Sequence, residues 1–352
     1  MVALDPRKSK RFYLHSIAVE LHGSAALRLA RDFDFFTDRP GKEEEAAPYS
    51  VTLETQDGDP SQVKLPSRAA DQVFSDCVLY REKNRLYYEY GGAVLVVERE
   101  ENFSYGKVTS KNPHLADEIG YLYLQSEIGR FLDKQGLHRV HALGLGLPNG
   151  EAALVMLPSG GGKSTLALEL LRAGGCMLLS DDTPLVDRFG NLLPYPLRLS
   201  FRADANLPPD WRAAAQTFER RRHGAKLLVP TSALPARLLP RPTDKFRPAY
   251  LVVGERHGNL SQPKMSALPR WRGGITLFRD MVVGLGVPQV AELILTRGIL
   301  SLPGLAPTGA SRTAAAGALL ARSRTYRLEL SRDHAANARA LLSAFGLGAK
   351  LS

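Results

Sequence analysis

The sequence predicts an α/β protein in which a β-rich N-terminal domain precedes a larger α/β domain. Three observations support this. Residues 86–98 form two β-rich runs around Gly91-Gly92, the pattern of a tight hairpin. Residues 113–136 place apolar side chains at helical spacing. Residues 152–175 comprise a continuous apolar run, a glycine-rich turn and an apolar stretch of helical length, which indicates a buried strand, a loop and a helix in series.

The 352 residues are enough for about two domains. We predict a β-rich domain over residues 1–112, a connecting helix over 113–137 and a catalytic α/β domain over 138–352. Within the first domain, residues 12–22 alternate as one strand would, and residues 62–65 suit a strand after a turn.

Composition narrows the class of protein. No apolar run reaches the roughly 18 residues that span a bilayer, and the basic N-terminus lacks a following apolar segment of the secretory type. Two cysteines do not suggest a disulfide framework. We therefore predict a cytoplasmic protein without a membrane association.

The formal net charge is +10, and the basic residues are scattered apart from the run at 220–223. Aromatic residues do not alternate with these charges as they do in RNA-binding surfaces, so the sequence does not favour a nucleic-acid partner. A solvated basic face explains the pattern simply. A docking face for an acidic peptide or a phosphate is the alternative.

The glycine-rich turn has the features of a phosphate-binding loop. Three glycines allow a tight turn whose amides converge, and a helix starting near Lys163 directs its positive end to the same point. Lys163 can contact the β- and γ-phosphates, and the Ser164 hydroxyl can bind Mg²⁺. The sequence thus predicts ATP and Mg²⁺ as cofactors. The candidate nucleotide-binding residues are Ser159, Gly160, Gly161, Gly162, Lys163, Ser164 and Thr165.

One position departs from the usual pattern of such loops. Leu157 stands where the first glycine is expected, which raises the question of how the chain enters the loop. The alternative is a glycine-rich turn and a helix that carry lysine and serine by chance.

An acidic pair follows the next predicted strand, residues 176–180. If this strand runs parallel to residues 152–157, a right-handed crossover brings Asp181 and Asp182 beside the phosphate loop. One carboxylate can then bind Mg²⁺ while the other accepts a proton from an attacking hydroxyl. We predict Ser164 and Asp182 as the metal residues and both aspartates as catalytic. A plain polar turn is the alternative.

Two further residues are catalytic candidates, in addition to Lys163 and the two aspartates. His141 begins the segment that leads to the loop, where an imidazole could act near the phosphates. Arg198 could neutralise charge on a transferring phosphoryl group. A structural histidine and a surface arginine are the respective alternatives.

Taken together, these motifs resemble the catalytic domain of bacterial HPr kinase/phosphorylase and its relatives. The resemblance is specific over residues 138–202. It implies a P-loop kinase domain of the HPr kinase/phosphoenolpyruvate carboxykinase type, preceded here by a β-rich N-terminal domain. It also implies Mg²⁺-dependent transfer of the γ-phosphoryl group of ATP to a serine of a small protein or peptide, and a possible homo-oligomer.

The same resemblance suggests roles for individual residues. Lys163 and Ser164 match the family's phosphate- and metal-binding pair, Asp181 or Asp182 its general base, and His141 its active-site histidine. The family's later Glu-Arg-Gly motif is missing, and residues 196–202 stand where it would be. The forward kinase reaction is therefore the expectation, rather than phosphorolysis or HPr as the substrate.

Other functions share most of these residues. A P-loop ATPase, a nucleotide-binding regulator without an acceptor and a kinase of a small metabolite are the alternatives. The chain lacks the LSGGQ-like signature of transporter ATPases, which argues mildly against the first.

Overall fold

The computed structural model describes residues 9–37, 47–74, 76–158, 160–220, 224–256, 260–283 and 302–347. Ser159 and the basic residues 221–223 lie outside the described residues. Prolines and glycines over 284–309 predict loops, and residues 284–301 of that stretch also lie outside the described residues. The prediction is wrong for residues 302–309, which belong to a helix. No helix in the described ranges is both long and apolar enough to cross a membrane.

Two compact units make up the described chain, residues 9–132 and residues 133–347. The helix that we expected to connect two domains therefore lies within the N-terminal unit up to Leu132.

An eight-stranded sheet forms most of the N-terminal unit. Along the chain its strands are β1 Ser9–Leu14, β2 Ile17–Gly23, β3 Tyr49–Asp57, β4 Gln72–Val73, β5 Cys77–Glu82, β6 Arg85–Tyr90, β7 Ala93–Arg99 and β8 Phe103–Ser110. Their spatial order is β1-β2-β3-β8-β7-β6-β5-β4. The pairs β2–β3 and β3–β8 are parallel, and the remaining pairs are antiparallel.

Two strand predictions in this unit are wrong. Residues 12–22 are not one strand, because His15 and Ser16 adopt positive φ angles of 44° and 64° and turn the chain into the β1–β2 hairpin. Residues 62–65 contain no strand, since a 3₁₀ turn at Pro60–Gln62 precedes an irregular segment. The hairpin at Gly91-Gly92 is confirmed as the β6–β7 connection.

The helices of this unit are α1 Ala26–Ala30, α2 Asp34–Thr37 and α3 Pro113–Lys134. The last confirms the helical spacing seen over 113–136. Tyr123 of α3 packs onto Gly106 of β8, where an added Cβ would lie only 2.6 Å from the ring. Its hydroxyl donates a hydrogen bond to the Thr52 carbonyl at 3.0 Å. The helix therefore packs directly on the sheet.

The second unit is built on a six-stranded sheet and two three-stranded sheets. Its strands are β9 His138–Arg139, β10 Leu143–Gly146, β11 Glu151–Met156, β12 Met177–Ser180, β13 Leu185–Val186, β14 Leu192–Leu193, β15 Leu199–Arg202, β16 Gln216–Arg220, β17 Gly224–Val229, β18 Arg247–Arg256, β19 Lys264–Ala267 and β20 Arg324–Leu330. The large sheet has the order β12-β10-β11-β18-β20-β19, and the small ones β14-β13-β9 and β15-β17-β16.

In the described part of this unit, five α-helices accompany the sheets: α4 Lys163–Ala173, α5 Pro209–Ala214, α6 Arg270–Leu277, α7 Leu302–Arg322 and α8 His334–Ala344. A π-helical segment, Phe278–Val283, continues α6. Helix α4 packs against α8. The main apolar core joins alternate residues of β11, among them Leu154 and Met156, to α6 and α7. That alternation follows from the period of a strand.

The strand direction expected at the glycine-rich loop is found, with one difference. Strand β10 pairs antiparallel with both β11 and β12, so these two run the same way but are not neighbours. A tight turn at Asn149-Gly150, where Gly150 has φ +76°, joins β10 to β11 and makes them a hairpin. Asn-Gly is a strong hairpin signal. The carboxyl ends of β11 and β12 consequently still meet at one edge of the sheet.

The prolines and glycines over residues 230–274 predict loops between short elements. That prediction is wrong for part of the stretch, which forms a long central strand. Strand β18 occupies ten of those residues and pairs in parallel with β11 and β20. Its apolar middle, Tyr250–Val253, was the available signal.

Candidate active site

The glycine-rich loop leads directly from β11 into α4. Gly160 and Gly162 have φ angles of +71° and +91°, which residues with a side chain rarely adopt. Gly161 has no such φ, but a Cβ there would lie 2.8 Å from the Pro158 carbonyl oxygen. Each glycine is therefore required for this turn. Helix α4 begins at Lys163, and the first amides of a helix have no acceptor within it, so they are available to an anion.

The departure at Leu157 has a packing explanation. Its side chain is buried, and its Cδ2 lies where a Cβ on Gly254 of β18 would be, at 2.2 Å. Leu157 thus occupies the space left by a glycine on the neighbouring parallel strand. It points into the protein and leaves the glycines at 160–162 to form the turn.

Leu157→Ala should lower the free energy of unfolding by about 2–5 kcal/mol, because it leaves a cavity beside Gly254. It should not improve ATP affinity, although it brings the position closer in size to the usual glycine. Urea unfolding and calorimetric titration with Mg-ATP measure the two effects. A variant that binds ATP distinctly more tightly at unchanged stability would contradict this account.

Lys163 lies at the centre of a cluster of polar groups. The side chain is buried, and Nζ donates a hydrogen bond to the Leu157 carbonyl oxygen at 3.0 Å. Nζ also lies 2.9 Å from His141 Nε2 and 3.7 Å from Asp182 Oδ1. Burial lowers the pKa of Lys163, against the opposing effect of nearby carboxylates.

His141 lies between Lys163 and Asp182. An ammonium can only donate, so Nε2 accepts and the imidazole proton resides on Nδ1. Nδ1 is 3.2 Å from Asp182 Oδ1, without the angle of a hydrogen bond. Burial lowers the pKa of His141, and the charge of Lys163 adds to this effect. These contacts describe a neutral imidazole with its N–H on the Asp182 side.

The two aspartates after β12 have different surroundings. Asp181 is buried, and Ser164 Oγ donates to its Oδ2 at 2.9 Å. Burial, followed by the negative charge of Asp182, raises the pKa of Asp181 to about 7. The Asp182 side chain is 51% exposed, so a molecule in solvent can reach it. One carboxylate thus faces the helix, and the other faces solvent.

The oxygens of Ser164 and Asp181 fit a magnesium ion. Octahedral Mg²⁺ with ligands at about 2.1 Å separates adjacent ligand oxygens by about 3 Å. Ser164 Oγ and Asp181 Oδ2 are 2.9 Å apart. The sequence predicts Asp182 as the metal residue that accompanies Ser164, whereas the Ser164 hydroxyl donates its hydrogen bond to Asp181.

Asp280 is a site residue that the sequence did not reveal. Its backbone oxygen accepts a hydrogen bond from the His141 amide at 3.2 Å. Its buried carboxylate is bound by both Arg279 Nε at 2.6 Å and Arg279 Nη2 at 3.0 Å. Asp280 raises the pKa of His141, whereas Arg279 lowers it. No motif in the sequence marks these residues, because only the fold brings the end of α6 beside the segment before β10.

The other candidates lie as follows. Thr165 is half-buried in the first turn of α4. Arg198 lies over the Phe218 ring, with its guanidinium carbon 5.5 Å from the ring centre. His138, the other histidine in the segment that precedes the loop, is fully buried between Asp133 and Ser311, each at 2.8 Å. The structure therefore groups His141, Lys163, Ser164, Asp181 and Asp182.

Asp181→Asn should stabilise the protein at neutral and alkaline pH in the absence of nucleotide. The folded-state pKa of about 7 lies above the usual 3.8, so the folded protein holds a proton that the unfolded chain releases. The stability contributed by this group is present below the unfolded-state pKa and is lost as pH rises through about 4 to 7. A shift of about three units corresponds to up to about 4 kcal/mol.

Urea unfolding of wild type and Asp181→Asn between pH 4 and pH 8 measures this difference. It should grow with pH and level off above about 7. Asp204→Asn is the control, because Arg202 lowers the pKa of Asp204 and its loss should give no such gain. If the free energies of unfolding of Asp181→Asn and wild type differ by the same amount at every pH, the pKa of Asp181 is not raised in the folded protein.

No protein-family model matches the chain, and no curated protein matches it. The function is therefore inferred from the geometry of the site itself.

Proposed function

We propose that this protein is an ATP- and Mg²⁺-dependent kinase that transfers the γ-phosphoryl group to a serine hydroxyl of a small protein or peptide. The main support is the position of Asp182, a solvent-accessible carboxylate 3.7 Å from the buried ammonium of the phosphate-loop lysine. A group that can accept a proton therefore lies within reach of the point where a γ-phosphate would bind.

The chain supplies distinct groups for holding the nucleotide. The amides at the start of α4 suit the phosphates, because the first amides of a helix have no acceptor within it. Lys163 adds a full positive charge to them. Ser164 and Asp181 suit the metal. Mg²⁺, when bound, would neutralise the charge that develops on the phosphates.

Asp182 suits the role of general base in this proposal. It can take the proton of the acceptor hydroxyl as the oxygen approaches phosphorus. The Nδ1 atom of His141 lies 3.2 Å from Asp182 Oδ1, beside the proposed base. This assigns the metal role to Asp181 and the base role to Asp182, because only Asp182 is substantially exposed.

The alternatives differ in whether the phosphoryl group is transferred and in what accepts it. An ATPase would use water, a regulator would bind nucleotide without turnover, and a metabolite kinase would use a small hydroxyl compound. The solvent-exposed face of Asp182 favours a separate acceptor over a sealed site, which is why the kinase is our first choice.

Incubation with ATP labelled on the γ-phosphate, Mg²⁺ and a lysate of the native organism tests the proposal. A labelled small protein or peptide, with phosphoserine found after hydrolysis, is the expected result. Label only in free phosphate would indicate an ATPase, and label in a non-peptide compound a metabolite kinase. Tight binding of ATP without turnover would indicate a regulator.

A further inference from the structure

Helix α6 and the segment after it expose a row of large apolar side chains. Trp271 and Ile275 are each 62% exposed, and Phe278 is 48% exposed. Their spacing of four and three residues places them on one face of the helix. We call these three residues the apolar stripe. Large side chains of this kind, exposed side by side, mark interaction surfaces more often than single ones do.

The orientation of the helix is set by its opposite face. Leu277 and Met281 are fully buried in the main core. Gly273 lies so close to β18 and β20 that a Cβ would be 3.1 Å from Thr325 and 3.3 Å from Leu251. The stripe cannot turn inward without removing these contacts, so its exposure is a property of the fold.

The stripe leads to the candidate active site. Phe278 is followed by Arg279 and Asp280, and the Asp280 carbonyl oxygen accepts the His141 amide hydrogen. The eight residue-to-residue steps from Trp271 to Arg279 span about 12 Å at a helical rise of 1.5 Å per residue. An extended peptide covers that length in about four residues. A segment bound along the stripe would therefore reach the site within a few residues.

The charge around the stripe is positive. Arg270 and Arg272 are exposed beside it, and the Arg272 guanidinium carbon lies 5.1 Å from the centre of the Trp271 ring. Arg279 is half-exposed at the end nearer the site, and its partner Asp280 is buried beneath it. A partner that complements this surface carries apolar side chains together with acidic ones.

We propose that the apolar stripe binds the acceptor, as a segment with apolar and acidic residues close to the serine that receives the phosphoryl group. This inference rests on the proposed kinase function and adds the class of acceptor. Trp271, Ile275 and Phe278 take up the apolar side chains, and Arg270 and Arg272 pair with the acidic ones. The arrangement holds the serine near Asp182 while leaving its hydroxyl free.

A peptide array tests this proposal with the full-length protein. The probes are 15-residue peptides with a central serine and randomised flanks. Wild type should retain peptides enriched in Asp or Glu and in large apolar residues. Trp271→Glu and Ile275→Glu should each lower that retention at least about tenfold, since a charge replaces an anchor of the interface. Phe189→Glu is the matched control, because Phe189 is an aromatic residue 56% exposed elsewhere in the same unit.

Three results would overturn the proposal. Wild type could show no acidic and apolar preference, or the glutamate variants could retain the same peptides as wild type. Alternatively, sedimentation could show that wild type self-associates and that Trp271→Glu is a monomer, in which case the stripe binds a second copy of the chain. Circular dichroism checks that the variants fold.

The array also separates this inference from the proposed function. ATP turnover without any peptide and ATP binding report on the nucleotide site, and the stripe variants should leave both unchanged. Retained peptides that are never phosphorylated, in a protein that does not turn over ATP, would refute the kinase and leave the docking surface standing. Equal phosphorylation of the peptides by wild type and by the stripe variants would support the kinase and refute the docking surface.

Discussion

Replacing Asp182 with asparagine should lower the rate of phosphoryl transfer about 10²–10⁴-fold, the usual contribution of a positioned general base. The amide keeps the size of the side chain and cannot accept a proton. ATP affinity should stay the same or increase slightly, because the variant removes a negative charge 3.7 Å from the Lys163 ammonium. The loss should therefore fall on the transfer step rather than on nucleotide binding.

Single-turnover transfer from labelled ATP to the acceptor, alongside calorimetric titration with Mg-ATP, separates these two effects. Asp204→Asn is the control, since it also neutralises an exposed aspartate and Asp204 is paired with Arg202 instead of the site. Asp182→Glu should recover part of the rate because it restores a carboxylate. If Asp182→Asn transfers at the wild-type rate, the assignment of the base is wrong.

Replacing Lys163 with methionine should lower nucleotide turnover by at least about 10²–10³-fold, the effect of removing one preorganised group that stabilises developing charge. Methionine retains most of the buried volume, so packing around the site should be preserved. ATP affinity should fall as well, because the ammonium contributes a full charge to the phosphates in the ground state.

A second readout of Lys163→Met does not depend on activity. The charge of Lys163 helps to lower the pKa of His141, so the variant should titrate His141 at higher pH. Proton–nitrogen correlation spectra of the imidazole measure this shift without nucleotide. Lys264→Met, which removes an exposed lysine on β19, should alter neither turnover nor the titration. An unchanged His141 pKa in Lys163→Met would contradict the contact between the two side chains.

The sequence predicts the glycine-rich loop and the residues around it, because these features depend on residues that are neighbours in the chain. Gly160 to Ser164 form a turn and a helix start whose backbone requirements are local, and the flanking strand and helix follow from apolar runs. The acidic pair was placed correctly beside the loop because β11 and β12 do run parallel, even though β10 lies between them. The Asn149-Gly150 pair is a hairpin signal, and it could have predicted from the sequence that β10 pairs with β11.

Other features of the site depend on residues that are far apart in sequence. Leu157 suits its position because Gly254, almost a hundred residues later, leaves room for it. Asp280 contacts His141 from the end of a helix that carries no motif. The difference in burial between Asp181 and Asp182 is a tertiary property, which no local pattern in the sequence reports. His138 lies against Ser311, which is part of α7, and away from the phosphate loop.

The sequence alone determined the presence of a glycine-rich loop, its lysine and serine, and an acidic pair one crossover away, because backbone propensity and strand direction are short-range properties. Only the tertiary structure decided which aspartate is buried with Ser164, which one is exposed beside Lys163, and that an apolar stripe ends next to them. Burial and exposure depend on the packing of β18, α6 and α7, which are distant in the chain. Their effect on the site arises only when the fold is complete.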